Sequence, residues 1–157
     1  MIVVVMGVSG SGKSTIGALL AARLGWEFLD ADEFHPPENV AKMAAGMPLA
    51  DADRWPWLER LNAELRRRAS AVLACSALKE AYRRVLARGI DCRFVHLCGS
   101  IELIRERMRE RRHRYMPASL LESQFAALEP PAGAIEVDIA RPAEACVDDI
   151  LAALNRP

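Results

Sequence analysis

Residues 7–14 of the chain read Gly-Val-Ser-Gly-Ser-Gly-Lys-Ser, the spacing of glycine, lysine and hydroxyl groups in a loop that binds nucleotide phosphates. The glycines let consecutive backbone N–H groups turn inward around a phosphate. Lys13 would reach the β- and γ-phosphates, and the Ser14 hydroxyl would bind Mg²⁺, which takes oxygen ligands. The motif therefore predicts a nucleotide site.

The segments on either side of the loop favour the same interpretation. Residues 2–6 are a nearly unbroken apolar run, typical of a buried parallel strand. Beyond the loop, apolar residues recur at helical spacing as far as Gly25, which stands where a C-terminal cap is expected. A helix that starts near Lys13 adds its positive N-terminus to the phosphate site. A glycine-rich turn with an exposed lysine is the less favoured alternative.

Two acids follow the second predicted strand, residues 26–29. Asp30 and Asp32 stand at its carboxyl end, where ligands gather in open parallel sheets. Alternate residues of an extended segment point the same way, so both carboxylates could converge. One would bind Mg²⁺ through water while the other accepts a proton from a hydroxyl nucleophile. Helix capping or a solvated turn is the alternative for either aspartate alone.

A predicted substrate-binding insertion at residues 33–68 is dense in histidine, arginine and tryptophan. Such a segment suits a pocket for a small polar anion. His35, beside two prolines, either contacts that ligand or braces the turn. Trp55 and Trp57 are expected to pack in the core or in a lid. Lys79 follows the third predicted strand and could enter the same site.

Residues 101–114 mix six arginines with three glutamates. The mixed signs predict an exposed helix with i, i+4 ion pairs in its first half. Past Glu110 the acids stop, and a predicted lid at residues 109–124 would neutralise charge on a transferred phosphoryl group. The spacing does not decide which arginine does so. His96, in the fourth predicted strand, is expected to be a satisfied buried side chain.

Composition limits the classes of partner. With 157 residues and 52% hydrophobic content, the chain suits one compact domain over residues 1–157. Basic and acidic residues both number 21, which disfavours nucleic acid or an anionic membrane as a partner. The N-terminus shows no targeting segment, so a cytoplasmic location is expected. Cys75, Cys92, Cys98 and Cys146 lack a C-x-x-C pair, which disfavours a zinc or redox site and favours free, mostly buried thiols.

The order of the predicted elements indicates the fold class. A strand, the phosphate loop and a helix are followed by alternating helices and strands, the fifth strand at residues 134–138. Short right-handed crossovers make a parallel sheet with helices on both faces the economical arrangement. The sequence therefore predicts a three-layer α/β domain.

The chain resembles the gluconate kinase family of small P-loop kinases, which is related in fold to shikimate and adenylate kinases. The resemblance is carried by blocks within residues 7–14, 30–36, 39–49, 51–58, 75–83 and 115–129. The loop alone indicates only a nucleotide, and the other blocks separate this family from its relatives. The resemblance implies ATP- and Mg²⁺-dependent phosphorylation of D-gluconate to 6-phospho-D-gluconate. It also implies a five-stranded parallel sheet in the order 2-3-1-4-5 and a homodimer.

The resemblance further implies roles for individual residues. Asp32 would be the base or orienting group near the gluconate 6-hydroxyl, and Asp30 would join Ser14 in the Mg²⁺ shell. The candidates for binding gluconate are Asp32, His35, Arg54, Lys79 and Gln124. Among them, Arg54 best suits bidentate recognition of the carboxylate. The candidates for binding ATP are Gly7, Val8, Ser9, Gly10, Ser11, Gly12, Lys13, Ser14, Thr15, Arg109 and Arg112, of which Lys13 is also catalytic.

One position departs from the family pattern, and two other functions are alternatives. The lid histidine is expected directly before an aromatic-Met-Pro group, whereas here Arg114 separates His113 from Tyr115, which puts a role for His113 in doubt.

Shikimate kinases resemble one another in a glycine triplet after the third strand, where this chain has Cys-Ser-Ala-Leu-Lys at residues 75–79. GTPase switches resemble one another in Asn-Lys-x-Asp and Asp-x-x-Gly motifs, and neither motif occurs in the sequence.

Overall fold

The computed structural model of the chain describes residues 1–110 and 118–156. Five parallel strands form one sheet: β1 (Ile2–Met6), β2 (Glu27–Asp30), β3 (Ala71–Ala74), β4 (Cys92–Cys98) and β5 (Ile135–Asp138). Their order across the sheet is β2-β3-β1-β4-β5. This is the order that the family resemblance implies, so the expected fold is confirmed.

Helices connect the strands and cover the sheet on both faces. They are α1 (Lys13–Leu24), α2 (Pro37–Ala44), α3 (Asp51–Arg66), α4 (Glu80–Ala87), α5 (Ile101–Glu110), α6 (Ala118–Ala127) and α7 (Ala143–Leu154). A short 3-10 helix, Ala31–Phe34, follows β2. One core cluster joins α1 and α7 to the sheet, and the other joins α3 and α4 to its opposite face. Within the described ranges, no helix has both the length and the apolarity needed to cross a membrane.

The central strand β1 explains the apolar run at the start of the chain. Each of its residues is 2% exposed or less. Val3 and Val5 belong to the cluster with α1 and α7, while Val4 and Met6 belong to the cluster with α3 and α4. Because alternate side chains enter two different cores, the strand is apolar at every position.

The predicted insertion, residues 33–68, is mostly helical. Pro37 occupies the first turn of α2, where its missing N–H costs no hydrogen bond. In α3, Trp57 is 5% exposed, and its indole N–H donates to the Ala31 carbonyl at 2.8 Å. Trp57 therefore packs in the core as expected, and it ties α3 to the 3-10 helix that follows β2.

Helix α5 differs from the exposed, ion-paired helix that its composition predicts. Ile104 is 1% exposed, and a Cβ at Gly10 would come within 2.8 Å of Met108 Cγ. Arg105 pairs with Glu122 of α6 rather than with a glutamate of its own helix. Helix α5 therefore packs directly on the phosphate loop and connects it to α6.

A truncation of Leu61 tests the assignment of α3 to the core. Leu61 is 1% exposed, so Leu61→Ala should lower the free energy of unfolding by about 2–5 kcal/mol through lost burial and the cavity left behind. Urea unfolding followed by circular dichroism measures the change. Leu19→Ala in α1 is the control, since Leu19 is 36% exposed and its truncation should cost less than about 1 kcal/mol. Equal losses for the two variants would contradict the assignment.

Candidate functional site

The loop of residues 7–14 forms an open cradle between β1 and α1. Gly12 caps α1 with a φ of 95°, which glycine adopts without strain. A Cβ at Gly7 would come within 2.8 Å of the Ser11 hydroxyl oxygen. No side chain caps the N-terminus of α1, so its first N–H groups can donate to an anion. The buried Ser11 hydroxyl also has no hydrogen-bond partner in the part of the chain that the structure describes.

Two side chains hold the shape of this loop. Lys13 Nζ donates to the Val8 carbonyl at 3.0 Å, which keeps the ammonium group over the loop. Gln124 of α6 accepts a hydrogen bond from the Ser9 backbone N–H at 2.7 Å and donates to the Ser9 hydroxyl at 2.9 Å. The structure therefore places Gln124 on the phosphate loop, and its predicted contact with the substrate stays a prediction.

Asp30 and Ser14 meet beside the loop. Ser14 Oγ donates to Asp30 Oδ2 at 3.1 Å. A hydroxyl and a carboxylate oxygen at this separation are hard ligands of the kind that Mg²⁺ prefers, so the pair fits the predicted metal shell. Asp30 Oδ1 also accepts from the Asp32 backbone N–H at 3.0 Å, so Asp30 caps the 3-10 helix as well.

Asp32 lies in that 3-10 helix, so the prediction of an extended segment is wrong. Its side chain is 83% exposed. The charges of Lys13, Asp30 and Asp32 all act on the thiol of Cys75, which lies just past β3. Burial raises the pKa of the Cys75 thiol to about 12, and the charge of Lys13 opposes the shift while Asp32 and Asp30 add to it.

His35 is buried directly behind Asp32. Its side chain is 4% exposed and stacks on Trp57 with ring centroids 4.2 Å apart. Asn39 Nδ2 contacts His35 Nδ1 at 3.2 Å. An amide nitrogen can only donate, so Nδ1 is the acceptor and the ring proton sits on Nε2. His35 Nε2 lies 3.9 Å from Asp32 Oδ1.

The ring of His35 is therefore a neutral donor that faces the acid. Burial lowers the pKa of His35, the charge of Asp32 opposes this, and Arg54 lowers the pKa further. The burial of His35 and its stacking on Trp57 fit the bracing role that the sequence left open, and the ligand-contacting role stays a prediction. The electrostatic contact with Arg54 also connects His35 to a second group of side chains.

This second group is a pair of cations that share one carboxylate. Arg54 Nη1 lies 3.5 Å and Lys79 Nζ 3.6 Å from Asp51 Oδ1. The Tyr82 hydroxyl donates to the same carboxylate, and Arg54 Nη1 donates to Tyr82 Oη at 3.3 Å. Burial and the bond to Asp51 raise the pKa of Tyr82 to about 12, so it stays neutral. Arg54 and Lys79 side chains are 31% and 36% exposed, which leaves both within reach of a ligand.

The turn that delivers Lys79 is held from inside the protein. Ala77 has a φ of 45°, a conformation that costs a residue with a Cβ some energy. The buried Arg83 donates to the Ala77 carbonyl at 2.7 Å and to the Glu129 carbonyl at 2.8 Å. Arg83 therefore fixes the backbone that leads to Lys79.

Sequence reasoning assigned no role to three of these residues, Asp51, Asn39 and Arg83. All three lie within the blocks that carry the family resemblance, but their spacing gives no sign of the contacts they make. Arg83 resembles any arginine of an amphipathic helix. The signal that would have found it is its place among the inward-facing residues of α4, where an unpaired charge is costly.

The predicted lid is described only in part. Arg109 is exposed near the end of α5. Arg112 and His113 lie outside the described residues. Of residues 109–124, the structure describes the end of α5 and most of α6. An ion pair between Arg105 of α5 and Glu122 of α6 joins the two helices.

Comparisons with known proteins identify relatives over most of the chain. The family model of the AAA domain matches residues 2–131. A probable gluconokinase of Rattus norvegicus is 51% identical, over 83% of this chain and 83% of the relative. A gluconokinase of Gluconobacter oxydans is 52% identical, over 82% of this chain and 75% of the relative. The crystal structure of a gluconokinase from Sinorhizobium meliloti superposes with a TM-score of 0.89 at 46% identity, covering 97% of this chain and 90% of that one.

Titration of His35 tests the geometry behind Asp32. We expect NMR to give His35 a pKa below the ordinary 6.5, because burial disfavours the imidazolium. Since this folded-state pKa lies below the unfolded one, His35 should reduce stability as the pH falls from 6.5 through it. Asp32→Asn should lower the pKa further, and Arg54→Gln should raise it.

Glu33→Gln is the matched control, because Glu33 is an exposed acid next to Asp32 with no part in the pKa shift of His35. It should leave the titration unchanged. His35→Gln identifies the resonance. An unchanged pKa in Asp32→Asn would rule out the electrostatic contact between Asp32 and His35.

Proposed function

The chain belongs to the gluconokinase family, and we infer that it transfers the γ-phosphoryl group of ATP to D-gluconate, giving 6-phospho-D-gluconate. The observation that supports this is that two groups suited to binding anions lie at one edge of the sheet. The phosphate loop follows β1 and suits ATP. Arg54 and Lys79 stand together near the end of β3 and suit the carboxylate of a sugar acid.

Residues 7–14 and Thr15 are the proposed ATP contacts. The N–H groups at the start of α1 and the Ser11 hydroxyl would bind phosphate oxygens. Lys13 donates to the Val8 carbonyl in the structure. With ATP bound, its ammonium group would neutralise charge on the transferred phosphoryl group. Phosphoryl transfer has a loose transition state, so most of the catalysis comes from positioning and charge.

Ser14 and Asp30 are the proposed Mg²⁺ ligands. Their oxygen atoms are 3.1 Å apart, and both are ligands that a hard cation prefers. When bound, Mg²⁺ supplies positive charge to the phosphate oxygens. Asp30 also keeps the 3-10 helix in place through the Asp32 N–H, so the same carboxylate links the metal site to the proposed base.

Asp32 is the proposed base. Its exposed carboxylate can reach a substrate hydroxyl, accept its proton and orient the oxygen for attack. His35 acts on Asp32 from behind as a positioning residue, since its Nε2–H faces Oδ1. A general base of this kind contributes about 10²- to 10⁴-fold to the rate.

Arg54 and Lys79 are the proposed contacts of the gluconate carboxylate. Two cations face one Asp51 carboxylate, and Tyr82 is neutral, so the group keeps an excess of positive charge. A substrate carboxylate would compensate that charge. Arg54 offers a planar fork that matches it, and Lys79 adds a point charge beside it.

Three further features stay predictions. The resemblance implies a homodimer, and a cytoplasmic location remains an expectation. Arg109 and Arg112 are the proposed lid contacts of ATP, by the accumulation of cations toward the end of the predicted lid.

A coupled ADP-release assay tests the reaction. ADP should form only when D-gluconate or a close aldonate is added, and glucose should be a poor substrate because it lacks the carboxylate that Arg54 and Lys79 bind. Lys13→Ala should abolish nearly all turnover, which excludes a contaminating kinase. Turnover with shikimate or a nucleoside monophosphate and none with gluconate would overturn the proposal.

The variant Asp32→Asn tests the base. It should lower kcat by about 10²- to 10⁴-fold, while its thermal unfolding stays close to that of the wild type because the side chain is exposed. Glu33→Gln, which removes a neighbouring exposed charge, should keep kcat within about twofold of the wild type. Wild-type turnover in Asp32→Asn would remove Asp32 from this role.

A further inference from the structure

His96, Cys98 and Glu136 bring three metal-binding groups to one face of the sheet, and none of the three has a role in the site described above. Parallel pairing sets His96 of β4 opposite Glu136 of β5. Residues two apart on a strand share a face, so Cys98 stands next to His96 on the same side. A nitrogen, a sulfur and a carboxylate oxygen from these residues all lie within 4.8 Å of one another. From this geometry we propose that the triad binds a borderline-soft divalent cation such as Zn²⁺.

The distances fit tetrahedral coordination. Bonds of about 2.3 Å to sulfur and about 2.0 Å to nitrogen, at the tetrahedral angle, put the two ligand atoms about 3.5 Å apart. Cys98 Sγ lies 3.4 Å from His96 Nδ1. Glu136 is exposed and forms no ion pair within the described ranges, so its carboxylate can close the remaining distance by a rotation of its side chain. The nitrogen and sulfur atoms are thus already at a coordinating separation, and the carboxylate needs only a side-chain rotation.

The position of the triad leaves room for a fourth ligand. His96 and Cys98 line a cavity of about 100 Å³ together with Val8, Phe125 and Leu128. A water molecule in this cavity would complete a three-ligand site with one open position. The site is chemically distinct from the one at Ser14 and Asp30, since nitrogen and sulfur select zinc-like cations over Mg²⁺.

Cobalt titration of the full chain tests the site directly. Co²⁺ added to the reduced protein in the presence of excess Mg²⁺ should bind with a stoichiometry of about one and give a thiolate-to-cobalt charge-transfer band, and Zn²⁺ should abolish that band by displacement. Cys98→Ser should eliminate the band. Glu136→Gln, an exposed change that folding tolerates, should weaken Co²⁺ binding at least about tenfold.

Cys92→Ser is the matched control, because Cys92 lies on the same strand and on the same face as Cys98. It should keep both the band and the affinity. Alkylation mapped by mass spectrometry provides a test on the unmutated chain, in which Zn²⁺ should protect Cys98 and leave Cys92 as reactive as before. Absence of the band in the wild type, or its persistence in Cys98→Ser, would overturn the proposal.

Discussion

The burial of β1 between two cores fixes the register on which the whole site depends. A slip of one residue would move each valine of this strand into the opposite core. The register places Asp30, Ala74 and Val5 in one row across β2, β3 and β1. The chain leaves the sheet just beyond this row, so the phosphate loop, the 3-10 helix of Asp32 and the turn before Lys79 begin at the same level. Apolar packing therefore aligns side chains that are far apart in sequence.

Alignment alone would bring Arg54 and Lys79 together at a cost, because like charges a few ångströms apart repel. Asp51 removes this cost with a carboxylate that both cations share. The carboxylate is itself held by Tyr82, whose hydrogen bond is the largest cause of the lowered pKa of Asp51. The cluster is thus stable without a ligand, yet one negative charge does not cancel two positive ones. The excess charge makes this the place where an anionic substrate is expected to bind.

The features that depend on the order of elements along the chain were predictable from the sequence, and the contacts that depend on how the helices pack were not. The phosphate loop was predictable, since one segment contains the strand, the loop and the helix N-terminus. The meeting of Asp30 and Ser14 was predictable because both follow strands of one parallel sheet at its carboxyl edge. The conformation at Asp32 was not predictable from alternation, because the Asp30 side chain captures the Asp32 N–H and closes a 3-10 turn. The contact of Gln124 with Ser9 required the packing of α6, which no local pattern contains.

The helices of the insertion determine how the proposed base meets the phosphate loop. Asn39 of α2 donates both to His35 and to the Asp53 carbonyl of α3, and Lys42 of α2 pairs with the Asp53 carboxylate. Helix α3 also carries Arg54. The packed helices α2 and α3 therefore position His35 against the proposed base and supply a cation that would bind the substrate. Since phosphoryl transfer depends on the alignment of donor and acceptor, the packing of α3 against the sheet determines the geometry of the reaction as directly as the loop does.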